Sequence, residues 1–100
     1  MDIAISQNKV PVRLTIERWI HIVEHHDDLA GYYDEVLNVV ENPDLVISGY
    51  QNALIALREI KAGKYLAIVY KEIKKTDGFI ITGYFTAKMN LKKQIIVWKK

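Results

Sequence analysis

Hydrophobic positions change their spacing near the middle of the chain. Between residues 16 and 41 they recur every three or four positions, which predicts one helix over about residues 16–26 and a second after Asp27-Asp28. Asn42-Pro43-Asp44 ends the second helix, because proline disfavours helical backbone at the residue before it. The spacing then becomes two, which predicts strands over residues 45–50, 53–60, 65–73, 79–88 and 94–98.

This order of elements predicts an α+β fold. Two N-terminal helices are followed by a four- to five-stranded antiparallel sheet, to which residues 2–5 or 10–14 add an edge strand. The loops between the strands are too short for parallel pairing, which needs a crossover of a dozen or more residues. With 100 residues the chain forms a single domain, 1–100, because two cores of half that size would be too small to be stable.

The first predicted helix has two chemically different faces. Thr15 precedes it and is a favourable N-cap residue. The predicted core face consists of Ile16, Trp19, Ile20 and Val23. The opposite face carries Arg18, His21 and His25, and His26 lies at the border of the core. This helix therefore holds all three histidines of the chain.

The strand at residues 79–88 alternates between two faces. The set predicted to face the helices is Phe79, Ile81, Gly83, Phe85 and Ala87. The polar face carries Ile80, Thr82, Tyr84, Thr86 and Lys88. Thr76-Asp77-Gly78 predicts a hairpin turn before this strand. A two-residue turn places Lys71 opposite Tyr84, and a longer loop places Glu72 or Tyr70 there.

Charge is divided unevenly along the chain, although the net charge is only +2. Residues 16–44 carry eight acidic residues against one arginine, whereas residues 45–100 carry eleven Lys and Arg against three acidic residues. Solubilising surface charge and a basic face toward a polyanion both explain this division. The chain has no cysteine and no long apolar run, so we expect a cytoplasmic protein without a membrane span.

Three interpretations of the histidines follow from the residues alone. They are exposed surface residues, or a metal pair formed by His21 and His25, or general acid and base groups. The metal interpretation lacks a His-Glu-x-x-His order and a third ligand. Thr82, Tyr84 and Thr86 are likewise either solvent-facing strand residues or part of a site.

Four segments of the chain, taken together, favour the acid and base interpretation of the histidines over the other two. The segments are Leu14-Thr15-x-x-Arg18-Trp19-x-His21-Ile22-x-x-x-His26-x-Asp28, Asn42-Pro43-Asp44-Leu45-Val46, Tyr65-Leu66-Ala67-Ile68-Val69-Tyr70-Lys71 and Gly78-Phe79-Ile80-Ile81-Thr82-Gly83-Tyr84-Phe85-Thr86. In this order they resemble the phage-associated nuclease-like domains grouped with barnase, EndoU, the colicin tRNases and RelE. Asp27, Asp28 and Gly83 depart from the usual Pro, Glu and Ala of that pattern.

The resemblance implies a RelE- or barnase-like fold and a metal-independent endoribonuclease without a cofactor, of toxin or effector type. Cleavage would proceed by attack of the ribose 2′-OH and leave a 2′,3′-cyclic phosphate. Partners would be RNA (tRNA, mRNA or ribosome-bound) and a cognate antitoxin or immunity protein. The implied catalytic residues are His21, His26, Lys71, Thr82 and Tyr84. The implied RNA contacts are Arg18, Arg58, Thr86 and Lys88.

The alternative is a catalytically inactive module of the same fold that binds RNA or a protein. Either function sets a geometric condition on the fold. His21 lies opposite the predicted core face of its helix, and Thr82 and Tyr84 lie on the sheet face predicted to point away from the helices. The two groups can meet only if the first helix lies at the edge of the sheet, or if the sheet curls round it.

Overall fold

A computed structural model describes residues 1–87 and 91–100 of the chain. Its strands are β1 (Asp2–Ile5), β2 (Pro11–Leu14), β3 (Leu45–Ser48), β4 (Leu54–Lys61), β5 (Lys64–Lys74), β6 (Asp77–Thr86) and β7 (Ile96–Lys99). Its α-helices are α1 (Ile16–His25) and α2 (Tyr33–Glu41). Short 3₁₀ turns lie at Asp27–Leu29, Tyr50–Asn52 and Leu91–Lys93. Neither α-helix in the described ranges has the length and hydrophobicity needed to cross a membrane.

The α+β class is confirmed, but the predicted strand number and strand order are wrong. The described strands form one seven-stranded sheet in the order β1-β2-β6-β5-β4-β3-β7. The β1–β2 hairpin precedes both helices, and β2 pairs in parallel with β6, so the sheet is mixed. Hairpin loops allow only antiparallel pairing, but β2 and β6 are separated by most of the chain, and this separation permits the parallel pair.

The N-terminal hairpin forms because its turn and its apolar residues both suit it. Ser6 and Lys9 close the turn through backbone hydrogen bonds, and Lys9 takes a left-handed conformation with φ of 65°. The side chains of Ala4, Val12 and Leu14 are fully buried in the core. Both candidate edge segments are therefore strands, and one of them lies inside the sheet.

The main core lies between the helices and one face of the sheet. Helix α2 packs on β1, β4 and β5, whereas α1 packs on β6. The side chains buried in this layer come from nearly every element and include Leu14, Ile22, Leu29, Val36, Val40, Leu66, Ile68 and Ile80. A smaller cluster of Leu45, Ile47, Leu57 and Ala67 is buried on the opposite face of the sheet.

Helix α1 begins as predicted and Trp19 packs against the core as predicted, but the buried stripe is shifted, so that two of the predicted core residues are exposed. The Thr15 hydroxyl accepts a hydrogen bond from the backbone N–H of Arg18 at 3.1 Å, which confirms the predicted N-cap. Ile22 is only 2% exposed, whereas Ile16 and Ile20 are 63% and 50% exposed. The helix packs on β6 rather than across the sheet, so a neighbouring stripe of residues faces the core.

The second helix starts later than predicted. Asp27–Leu29 form a 3₁₀ turn, and α2 begins at Tyr33 without a side-chain cap. Gly31 lies between them with φ of +88°, in the left-handed region where glycine is favoured. This residue separates the two segments that the periodicity joined into one helix.

A bulge in β6 reverses the predicted alternation before Thr82, whereas Gly83 and Phe85 beyond it face the main core as predicted. Thr82 pairs with Val69 and Ile80 pairs with Tyr70, so Ile81 has no opposite residue. The bulge turns Ile80 into the core, where it is 1% exposed, and Gly83 remains buried as predicted. One extra residue shifts a period of two by one face.

The predicted pairing of the β5–β6 hairpin is also wrong. Ala67 lies opposite Tyr84, and Lys71 lies opposite Phe79. The strands end at Lys74 and Asp77, so the turn occurs earlier than Asp77-Gly78. The earlier turn and the two irregularities in the ladder together move Lys71 away from Tyr84.

Candidate functional site

Helix α1 lies at an open part of the β6 edge. Strand β2 pairs with β6 only at Gly78 and Phe79, so β6 continues beyond the end of β2. The Arg18 guanidinium donates a hydrogen bond of 3.5 Å to the carbonyl oxygen of the bulged residue Ile81. The condition set by the sequence is therefore met, because the first helix lies at a strand edge and reaches the polar residues of β6.

A cleft of about 330 Å³ lies between α1 and β6. Its lining residues are Arg18, His21, Ile22, His25, His26, Ile81 and Thr82. The His26 and Tyr84 rings lie beside each other, with 6.3 Å between their centroids. The structure thus brings together five of the predicted site residues: Arg18, His21, His26, Thr82 and Tyr84.

The three histidines differ in their surroundings. His21 and His25 are exposed on the first helix, and His26 is half-buried at its C-terminal end. The Nδ1 atom of His25 lies 2.8 Å from the backbone oxygen of His21. A carbonyl oxygen only accepts hydrogen bonds, so Nδ1 of His25 must carry the proton. In the neutral ring the Nε2 atom is then left as the acceptor nitrogen.

The charge around the cleft is one-sided. Arg18 is a permanent cation, three imidazole rings lie beside it, and none of the described residues that line the cleft is acidic. Thr82 adds a hydroxyl that can donate a hydrogen bond. The arrangement therefore favours an anion with several acceptor oxygens, such as a phosphate.

Two predicted site residues lie away from the cleft. Lys71 is half-buried within β5, opposite Phe79, and does not line the cleft. Arg58 lies on β4 opposite Leu66 and lines a separate cleft with acidic neighbours, Glu35 and Glu59. The register of β5 and the position of β4 in the sheet set these distances, and neither follows from residue spacing.

The remaining two predicted site residues are Thr86, at the C-terminal end of β6, and Lys88. Thr86 pairs with Tyr65 in the ladder and is half-buried, four residues beyond Thr82 along the strand. Lys88 lies outside the described residues. Thr86 is not among the described residues that line the histidine cleft.

His25 and the bulged Ile81 carbonyl are the cleft features that the motif did not indicate. The spacing of His21 and His25 by four residues already places both side chains on one helix face, so this signal was present in the sequence. The Ile81 carbonyl had no signal, because the bulge depends on the pairing of β5 with β6. Within residues 1–87 and 91–100 no group of three or more His, Asp and Glu side chains is placed to hold a metal ion.

No protein-family model matches the chain, and no curated protein or solved structure is significantly similar to it. The family resemblance and the roles that it implies for these residues therefore stay predictions.

Proposed function

We propose that the chain is a metal-independent endoribonuclease of toxin or effector type. The observation that carries the proposal is the cleft between α1 and β6, where Arg18, three histidines and Thr82 meet without an acidic lining residue. Metal-free cleavage of RNA needs this combination: a base, an acid and cationic or hydrogen-bonding groups around one phosphate.

In the proposed reaction one histidine removes the proton of a ribose 2′-OH. The 2′ oxygen then attacks the adjacent phosphorus, and the bond from phosphorus to the 5′ oxygen breaks. A second histidine donates a proton to the departing 5′ oxygen, which leaves a 2′,3′-cyclic phosphate and a 5′-OH. His21 and His26 are the proposed pair, in either order, and His25 also lines the cleft with an acceptor nitrogen.

The other cleft residues would act on the phosphate. Arg18 offers two parallel N–H donors, which match two phosphate oxygens. Thr82 can add a hydroxyl donor, and Tyr84 lies beside the His26 ring and can orient it. Lys71 does not line the cleft, so the proposal gives it no step in the reaction.

The proposal sets the reaction in the cytoplasm, on tRNA, mRNA or ribosome-bound RNA. A ribonuclease of toxin type also requires a cognate antitoxin or immunity protein in the same cell. The cationic cleft is the surface that such an inhibitor would cover, and an acidic segment would complement it.

The test incubates the purified protein with total tRNA, mRNA and ribosomes in EDTA. Products are separated on gels, and their ends are identified by mass spectrometry. We expect cleavage with cyclic-phosphate ends, and a loss of rate of about 10²–10⁴-fold in His21→Ala and in His26→Ala. A His25→Ala variant measured beside them shows whether the third histidine takes part.

A matched pair of arginine variants locates the phosphate. Arg18→Ala removes a guanidinium that lines the histidine cleft, and Arg58→Ala removes one from a separate cleft. We expect a larger loss of rate for Arg18→Ala. Folded protein that binds RNA without cleaving it would contradict the proposal and favour the binding module, whereas wild-type rates in both His21→Ala and His26→Ala would remove their catalytic role.

A further inference from the structure

A second cleft of about 350 Å³ lies between the β1–β2 turn and strand β7. It shares no lining residue with the histidine cleft. Its apolar residues Val46, Leu54 and Trp98 belong to or pack against the main core. Its polar lining among the described residues includes Gln7, Asn8, Asn52 and Glu72. An apolar floor with a few polar groups is the usual composition of a small-molecule site.

A tyrosine hydroxyl that opens onto this cleft makes no hydrogen bond to the described protein residues. It belongs to Tyr70, which lines the cleft and is only 1% exposed. Burial, and after it the charge of Glu72, raises the pKa of Tyr70 above its ordinary range, so the hydroxyl stays neutral. No fully buried side-chain nitrogen or oxygen among the described residues lacks a partner, so this hydroxyl is accessible from the cleft and can donate to or accept from a bound molecule.

The carboxylate of Glu72 is held in place at the same cleft. Ser6 donates a hydrogen bond to one of its oxygens, and the side-chain amide of Asn8 donates to the other at 2.9 Å. Ser6 is itself buried, and its hydroxyl accepts a hydrogen bond from the backbone N–H of Val10 at 3.2 Å. A carboxylate has about four acceptor positions, so two remain for a ligand.

Charge and backbone conformation add to the case for a site. Glu72 is the one charged residue among those described that line the cleft, so the local field favours a cation. Trp98 supplies an aromatic surface that attracts cations. Asn52, which lines the cleft, has left-handed backbone with φ of 66°. Such conformations are costly and occur often at binding sites.

We propose that this cleft binds a small organic cation that carries planar N–H donors on an apolar body, such as an amidinium or a guanidinium. Two parallel N–H groups would donate to the free acceptor positions of Glu72, as in other carboxylate pairs with planar cations. The apolar body would lie against Leu54 and Trp98, and the Tyr70 hydroxyl would complete the polar contacts. This site does not depend on the proposed ribonuclease activity.

The test uses benzamidine as the probe and ¹H–¹⁵N spectra of the whole chain as the readout. We expect saturable shifts of the Trp98 indole N–H, with no shift of the Trp19 indole on α1, which packs away from this cleft. Benzoate has the same ring and the opposite charge, and we expect it not to bind. Equal binding of benzoate and benzamidine, or no saturable shift of Trp98, would overturn the proposal.

Three variants locate the contacts. Glu72→Gln removes the charge with little change of shape, and we expect benzamidine affinity to fall roughly 10–100-fold, the usual worth of a hydrogen bond to a charged group. Glu59→Gln makes the same change at an exposed position in another cleft and should leave the affinity unchanged. Tyr70→Phe keeps the buried ring, so the fold is retained, and we expect a loss of about 3–10-fold. Unchanged affinity in both Glu72→Gln and Tyr70→Phe would overturn the proposal.

Discussion

The orientation of α1 gives a sharp test, because two isoleucines on that helix are buried to different extents. Ile22 is 2% exposed and lines the histidine cleft, whereas Ile20, two residues earlier, is 50% exposed. Periodicity alone places Ile20 on the core face. If the helix had that orientation, shortening Ile20 to alanine would lower the stability more than shortening Ile22. The pair of variants is Ile22→Ala and Ile20→Ala.

The expected loss follows from the carbons that are removed. Ile22→Ala deletes three buried carbons, which lowers the free energy of unfolding by about 2.4 kcal/mol at roughly 0.8 kcal/mol per carbon. The cavity left behind brings the total to about 3 kcal/mol, within the usual range of about 2–5 kcal/mol. Ile20→Ala should change the free energy by about 0.5 kcal/mol or less, since the site is half exposed and alanine is a better helix former.

Urea unfolding followed by circular dichroism measures both values. With a slope of about 1.5 kcal/mol per molar, Ile22→Ala should lower the midpoint by about 2 M, and Ile20→Ala should move it by less than about 0.4 M. Ile22→Val is the conservative control, with an expected loss of about 1 kcal/mol. Equal midpoints for the two alanine variants, or a larger effect at Ile20, would refute the helix orientation and with it the placement of the histidine cleft.

Three further predictions concern stability. Thr15→Ala should lower the free energy of unfolding by about 1 kcal/mol, because it removes the N-cap of α1, and Thr15→Ser should restore most of it in urea unfolding. A Cβ atom at Gly83 would lie 2.9 Å from the Cδ1 atom of Ile68, so Gly83→Ala should lower the free energy of unfolding by about 1–3 kcal/mol. The loss should be clearly smaller in an Ile68→Val background, which lacks this atom. An equal loss in both backgrounds would contradict the contact. A hydrogen bond to Asp2 raises the pKa of Tyr33 from 10.0 to about 12, with smaller contributions from burial and neighbouring charge, which stabilises the neutral phenol. The stability that this hydrogen bond contributes should be complete below pH 10 and should be lost as the pH rises through 12. Over that interval the melting temperature of Tyr33→Phe should fall less than that of the wild type. An identical fall in both proteins would contradict this prediction.

The site residues on the α1 side could be predicted from the sequence more directly than those on β6. Arg18 and His21 lie on α1 and His26 is its C-cap residue, and the position of this helix along the chain is set by local signals, the Thr15 cap and the apolar spacing. Thr82 and Tyr84 reach that helix because of pairing over long distances in the sequence. Lys71 lies away from the cleft for the same reason, since its position depends on where the β5–β6 turn lies and on the irregularities in the ladder.

The second cleft could not be predicted from the sequence. Gln7, Glu72 and Trp98 come from segments far apart in the chain, and no spacing connects them. The Tyr70 hydroxyl also has no signature in the sequence, because a tyrosine in a strand is normally explained by packing. Only the folded sheet shows that Tyr70 and the held carboxylate of Glu72 line the same cleft.

The sequence by itself determined the α+β class, the extent of α1 with its cap and the face of the helix that carries Arg18, His21 and His25. These features depend on residues within a few positions of one another, where helix and strand periods act directly. The tertiary structure decided that β2 joins β6 in parallel, that Ile81 forms a bulge and that α1 lies at the open edge of β6. Each of these depends on contacts between segments distant in the chain, and a single extra residue in a ladder is enough to exchange the two faces of a strand.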